Sequence, residues 1–121
     1  MKRTLMQVYV RNSAGAVELY REAFGATVGS DWRNPDGSCA HVELDACGQI
    51  IAISEAPEDV TYGSGMQFCM HFEENERDCV VRAYHALKDG ATLVCDIGPC
   101  DYSECMFSLF DRFGVYWCVF N

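Results

Sequence analysis

Cys39-Ala40-His41-Val42-Glu43-Leu44-Asp45-Ala46-Cys47-Gly48 is echoed 66 residues later by Cys105-Met106-Phe107-Ser108-Leu109-Phe110-Asp111-Arg112-Phe113-Gly114. Both stretches run from a cysteine to Asp-x-x-Gly with the same internal spacing. Two further echoes occur in the same order. Met6-Gln7-Val8-Tyr9-Val10 matches Met66-Gln67-Phe68-Cys69-Met70, and Gly25-Ala26-Thr27-Val28 matches Gly90-Ala91-Thr92-Leu93. The offset grows from 60 to 66 along the chain, as small loop insertions produce. Ordered self-similarity of this kind marks an internal duplication. One domain over 1–121 with two modules, 1–60 and 61–121, is therefore expected.

Each module gives the same order of elements. In the first, Leu5 to Val10 reads as a strand, and Asn12-Ser13 offers helix caps. Val17, Tyr20 and Phe24 follow at helical spacing, and Gly25 supplies a left-handed stop. Val28 to Trp32, Ala40 to Asp45 and Gln49 to Ser54 read as three more strands. Asn34-Pro35-Asp36-Gly37 makes the turn between the first two of these. In the second module Gln67 to Phe72 is a strand, and Asn75 is the expected cap of a helix. That helix buries Val80, Ala83, Tyr84 and Leu87 and ends at Gly90. Leu93 to Ile97, Cys105 to Phe110 and Val115 to Phe120 complete the pattern. The fold class predicted is α+β, with two tandem βαβββ modules.

The chain has 121 residues, half of them hydrophobic, and a formal charge of −9 from 18 acidic and 9 basic residues. An acidic surface repels phosphate, so nucleic acid is not an expected partner. No apolar run approaches the ~20 residues that span a bilayer, and no unbroken apolar stretch follows Met1-Lys2-Arg3. A cytoplasmic protein without a membrane partner is expected. Eight cysteines with no C-x-x-C spacing read as reduced thiols acting as small apolar side chains.

Ala16-Val17-Glu18-Leu19-Tyr20-Arg21-Glu22-Ala23-Phe24-Gly25-Ala26, Ala40-His41-Val42-Glu43-Leu44 and Asp111-Arg112-Phe113-Gly114-Val115-Tyr116-Trp117 carry a resemblance over nearly the whole chain. Together they resemble the vicinal oxygen chelate superfamily of glyoxalase I, bleomycin-resistance proteins and extradiol dioxygenases, and within it the PhnB-like branch. The resemblance implies a cupped mixed sheet with helices outside and a small-molecule pocket inside. It also implies a homodimer and, in the superfamily's enzymes, a divalent metal held by His and Glu. These ligands come from the first and fourth strands of each module, the glutamate four residues after the turn glycine. Here those positions hold Met6 or Gln7 and Gln67, then Ala52 and Cys118, so the usual His/Glu set is absent and no metal ligand is assigned. A divalent metal stays open as cofactor, since a Gln amide is a weak donor.

Strand alternation assigns the remaining candidates. Ala40, Val42 and Leu44 form the helix-side set, which turns His41 and Glu43 toward the pocket, where Phe107 and Leu109 are their repeat partners. Gln67, Cys69 and His71 face inward in the second module, matched by Gln7 and Tyr9 in the first. Tyr116 faces the pocket and Trp117 the helix. His41 and Glu43 are the catalytic candidates, as a general base or as two ligands of a non-standard metal site. The plainer alternative is a partly buried His41 with Glu43 solvated at the pocket mouth. Gln7, Tyr9, Gln67, His71, Tyr116 and Cys118 are the ligand-binding candidates, with Cys118 also a potential nucleophile if its thiolate were favoured. Function divides between a lyase, isomerase or dioxygenase, a module that sequesters a small molecule, and an assembly domain with a vestigial pocket.

Overall fold

The computed structural model describes all 121 residues, which fall into two compact units, Met1–Thr61 and Tyr62–Asn121. In the first unit β1 (Met6–Val10) is followed by α1 (Ser13–Phe24), β2 (Thr27–Arg33), β3 (Cys39–Ala46) and β4 (Gln49–Glu55). The second unit contains β5 (Phe68–His71), a 3-10 turn (Glu74–Glu76), α2 (Arg77–Leu87), β6 (Thr92–Cys100), β7 (Ser103–Phe110) and β8 (Tyr116–Phe120). The sheets have equivalent orders, β1-β4-β3-β2 and β5-β8-β7-β6. The first-to-fourth strand pairing is parallel in each, and the other pairings are antiparallel. Two βαβββ modules are thus present, each a four-stranded mixed sheet with one helix. No helix is long and apolar enough to cross a membrane.

Helix α1 forms where its apolar spacing says it should. Ala16, Val17, Leu19, Tyr20, Ala23 and Phe24 are buried on one side, and the Asn12 side chain caps the Gly15 amide. Gly25 ends the helix at φ 61, a left-handed conformation that costs glycine little. The helix packs on β3, β4 and β1. The apolar strand residues Val10, Val42, Leu44, Ile51 and Ile53 are fully buried. Each such side chain contributes about 1.5–3 kcal/mol on leaving water. Ala40, expected on this buried side, lies near the strand's start and is exposed.

Helix α2 departs from the sequence reading at both ends. Asn75 does not cap it; it sits inside the 3-10 turn, whose entry is closed by Glu76 Oε2 accepting from the Glu73 amide at 2.8 Å. The helix ends at Leu87, with the Lys88 amide bonded to the Tyr84 carbonyl. Gly90 lies beyond it, in the left-handed turn leading to β6. Asn75 promised a cap from its residue type, but the reach of Glu76 back to Glu73 satisfies the entry first.

The repeat also shifts phase. Cys118 occupies the position of Ala52, since each pairs directly with the parallel first strand at Cys69 and Gln7. On the neighbouring strand Ala52 faces Glu43, whereas Cys118 faces Ser108. The partner of Glu43 is therefore Ser108, not Leu109. The cause is the β7–β8 turn. Residues 111–115 separate the pair Phe110 and Tyr116, whereas 46–49 separate the equivalent pair Asp45 and Ile50. That extra residue shifts the equivalence of β7 with β3 by one, so Phe107 and Leu109 stand where Val42 and Leu44 do. Phe107 and Leu109 consequently lie on the helix side, where Phe107 meets Tyr84 of α2 edge-on at 5.3 Å. Both are fully buried.

Candidate ligand-binding face of the first unit

On the sheet face opposite α1, two rows of side chains cross the strands. Gln7, Ala52 and Glu43 are register partners in one row. Tyr9 pairs with Ser54 and His41 pairs with Trp32 in the next. Ser54 lies beside His41 by the same antiparallel register that pairs Val42 with Ile53. The second row is aromatic and open to solvent: Trp32 is 70% exposed and Tyr9 49%. Gln7 Nε2 donates to Ser54 Oγ at 3.1 Å, and Ser54 Oγ donates to the Ala40 carbonyl at 2.9 Å. These bonds hold the Gln7 amide in place across two strands.

The charged centre is Glu43. Arg3 grips it bidentately, Nη1 to Oε2 at 2.9 Å and Nη2 to Oε1 at 2.7 Å. His41 Nε2 lies 3.0 Å from Oε1. The Arg3 guanidinium, and after it the His41 ring, hold the Glu43 carboxyl well below its ordinary 4.5, at about 2. An ionised carboxylate only accepts, so His41 Nε2 carries the hydrogen, and in the neutral ring Nδ1 keeps its lone pair. The plainer alternative had His41 partly buried and Glu43 solvated at the pocket mouth. The order is the reverse: the Glu43 side chain is 10% exposed and that of His41 37%. Arg3, from the segment before β1, supplies the charge that lets Glu43 sit under cover.

The carboxyl's low value sets a pH window. Glu43 titrates lower when folded, so its pairing stabilises fully above about pH 4.5 and is lost as pH falls through about 2. In an NMR titration the Glu43 carboxyl carbon should show a midpoint near 2. In Arg3→Ala the midpoint should move up toward 4.5. An unchanged midpoint in that variant would remove Arg3 from the site.

The remaining candidates belong to the second unit. Gln67 precedes β5 and accepts from the Cys69 thiol at 3.6 Å. His71 stacks on Phe120 with ring centroids 4.3 Å apart, and Tyr116 stacks on Phe110 at 4.2 Å. Tyr116 thus has one ring face already occupied. Cys118 is buried, and that burial, followed by the neighbouring Cys69, pushes its thiol up. This disfavours a nucleophilic thiolate. Trp117 lies on the helix side as expected, edge-on to Phe68 and fully buried.

Arg3 and Trp32 were missed. Arg3 sits outside any periodic segment, and nothing in Lys2-Arg3 points to a carboxylate 40 residues away. Counting outward from the Asn34–Ser38 turn brings Trp32 opposite Ala40, and a register shift between Trp32 and Arg33, which no residue type announces, moves it opposite His41.

The family model for the glyoxalase/bleomycin resistance protein/dioxygenase superfamily matches residues 3–119. The chain belongs to this superfamily. Among solved structures of the same fold is a putative 3-demethylubiquinone-9 3-methyltransferase, PhnB protein, from Bacillus cereus. It is 19% identical at TM-score 0.81, over 99% of this chain and 98% of that one. Protein PA1353 from Pseudomonas aeruginosa matches with the same score and identity, over 99% and 97% of the two chains. The fosfomycin resistance protein FosX from Listeria monocytogenes is 12% identical at TM-score 0.71, over 99% and 92%. No curated protein matches the chain.

Superfamily enzymes hold a divalent metal, and the residues here do not fit one. Ala52 offers no donor beside Gln7, and no three His, Cys, Asp or Glu side chains converge on a common point. Glu43, the carboxylate beside His41, already has both oxygens engaged by Arg3. A cation placed there would have to displace a bidentate guanidinium.

Proposed function

We propose that this superfamily member binds a small planar organic molecule on the open face of its first sheet, without a protein-held metal. The observation that carries this is the row containing Tyr9, Ser54, His41 and Trp32. Two exposed aromatic rings on one strand row offer stacking surface, and the polar groups of His41 and Gln7 can orient a ligand between them. The charge of −9 favours a cationic ligand in the encounter.

Calorimetric titration with a panel of planar aromatic cations tests the reading. For any compound that binds, Trp32→Ala should weaken affinity about tenfold or more, equivalent to ~1.4 kcal/mol. Trp117, being buried, should leave no trace in the fluorescence change. Full affinity in Trp32→Ala, or silence across the panel, would sink the proposal.

A second reading rests on the His41 ring. An imidazole oriented through Nε2 by a carboxylate, with Nδ1 unprotonated, is equipped to accept a proton from a bound carbon acid or hydroxyl. It would make the chain a lyase or isomerase. In that case His41→Ala abolishes turnover of the ligand while leaving its binding in place. The sequestering reading expects no turnover in either form.

A further inference from the structure

Cys69 and Cys118 are direct register partners on the parallel strands β5 and β8. Both lie on the face opposite α2, since their neighbours Phe68 and Trp117 form the helix-side contact. Hydrogen-bonded strands run about 4.8 Å apart, within the ~4.4–6.8 Å between Cα atoms that a disulfide spans. The Cys69 thiol otherwise meets only the Gln67 amide oxygen, at 3.6 Å. Exposure divides the pair: Cys69 is open to solvent and Cys118 is buried. Such a pair has an attacking member and a resolving member already in place.

We propose that Cys69 and Cys118 are a hydroperoxide-oxidised dithiol, with Cys69 attacked first and Cys118 closing the disulfide. The Cys69 thiolate attacks the terminal peroxide oxygen, the O–O bond breaks, and the alcohol or water leaves with a proton. Cys69 becomes a sulfenic acid. Cys118 sulfur then attacks Cys69 sulfur, the S–O bond breaks, and hydroxide leaves as water with the Cys118 proton. Two thiols lose two electrons, and the hydroperoxide is reduced by two. Burial keeps Cys118 protonated and out of reach of solvent oxidants until Cys69 has reacted. The adjacent Cys100 is the competing resolving thiol, but it has no register contact with β5.

The test treats the reduced protein with one equivalent of hydrogen peroxide, alkylates the remaining thiols and maps the peptides. The expected product has lost the mass of two hydrogen atoms and links the peptides of Cys69 and Cys118. Cys69 should be consumed before Cys47 and Cys95, which are also exposed. Cys118→Ser should leave a sulfenic acid at Cys69 that dimedone traps. Cys69→Ser, a change at an exposed position, should keep the fold and leave Cys118 reduced. A Cys100–Cys118 bridge, sulfinic acid at Cys69 with Cys118 still alkylated, or oxidation of Cys47 and Cys95 first would each overturn the proposal.

Discussion

Asp111→Ala should lower the stability of the second unit by about 3–4 kcal/mol, the largest effect expected of any single polar side chain here. Asp111 is buried and serves three donors. Its Oδ1 accepts from the Phe113 amide at 2.8 Å and the Val115 amide at 3.0 Å, and its Oδ2 accepts from Trp117 Nε1 at 2.9 Å. The two turn amides regain part of their loss from water. The indole N–H cannot, because Trp117 is fully buried between the helix and the sheet. For a domain of this size the thermal midpoint should fall by roughly 10–15 °C. Asp111→Asn retains one acceptor oxygen and turns an amide donor toward the indole, so its loss should be about half as large. A double-mutant cycle with Trp117→Phe isolates the indole bond, and a coupling below about 0.5 kcal/mol would show that the bond does not hold the turn.

The second large effect lies at the other unit's helix entry. Glu55, the last residue of β4, accepts from the Asn12 amide at 3.1 Å, the Ser13 amide at 3.0 Å and the Ser13 hydroxyl at 2.7 Å. The Ser13 hydroxyl in turn accepts from the Cys39 amide at 2.8 Å. One carboxylate therefore satisfies orphan donors at the start of α1, complements the helix dipole, and anchors the first residue of β3 through a serine. Glu55→Ala should cost about 2–3 kcal/mol, read from chemical denaturation. Glu55→Gln keeps an acceptor without the charge and should cost about 1 kcal/mol. Equal losses in the two variants would show that the charge, not the hydrogen-bond count, holds the entry.

The residues that made the fold legible are those whose chemistry acts locally. Gly25 needs only its own backbone to end α1, and Asn12 caps a helix three residues away. The alternation of Val42 and Leu44 with His41 and Glu43 is likewise a property of one strand, and it sets His41 and Glu43 together on the face away from α1. What stayed hidden depends on partners far along the chain. Arg3 inverts the expected exposure of His41 and Glu43 from a segment that has no pattern of its own. Asp45 and Asp111 look equivalent in sequence, yet Asp45 accepts from the Gly48 amide within a tight turn while Asp111 reaches a buried indole. Spacing alone cannot tell these uses apart, because a fully buried tryptophan at 117 has no counterpart in the first module, where Ile51 stands.

The lengthened hairpin before β8 leaves the duplicated halves alike in phase but not in chemistry. The added link is absorbed in the bend, so both ribbons keep their oily side against a helix and only the residue types on the other side diverge. A scaffold copied in tandem can thus carry an imidazole and a carboxylate on one copy and a sulfur-rich surface on the other, with hardly any change in backbone plan. Twin architecture, in this molecule, is no guarantee of twin chemistry.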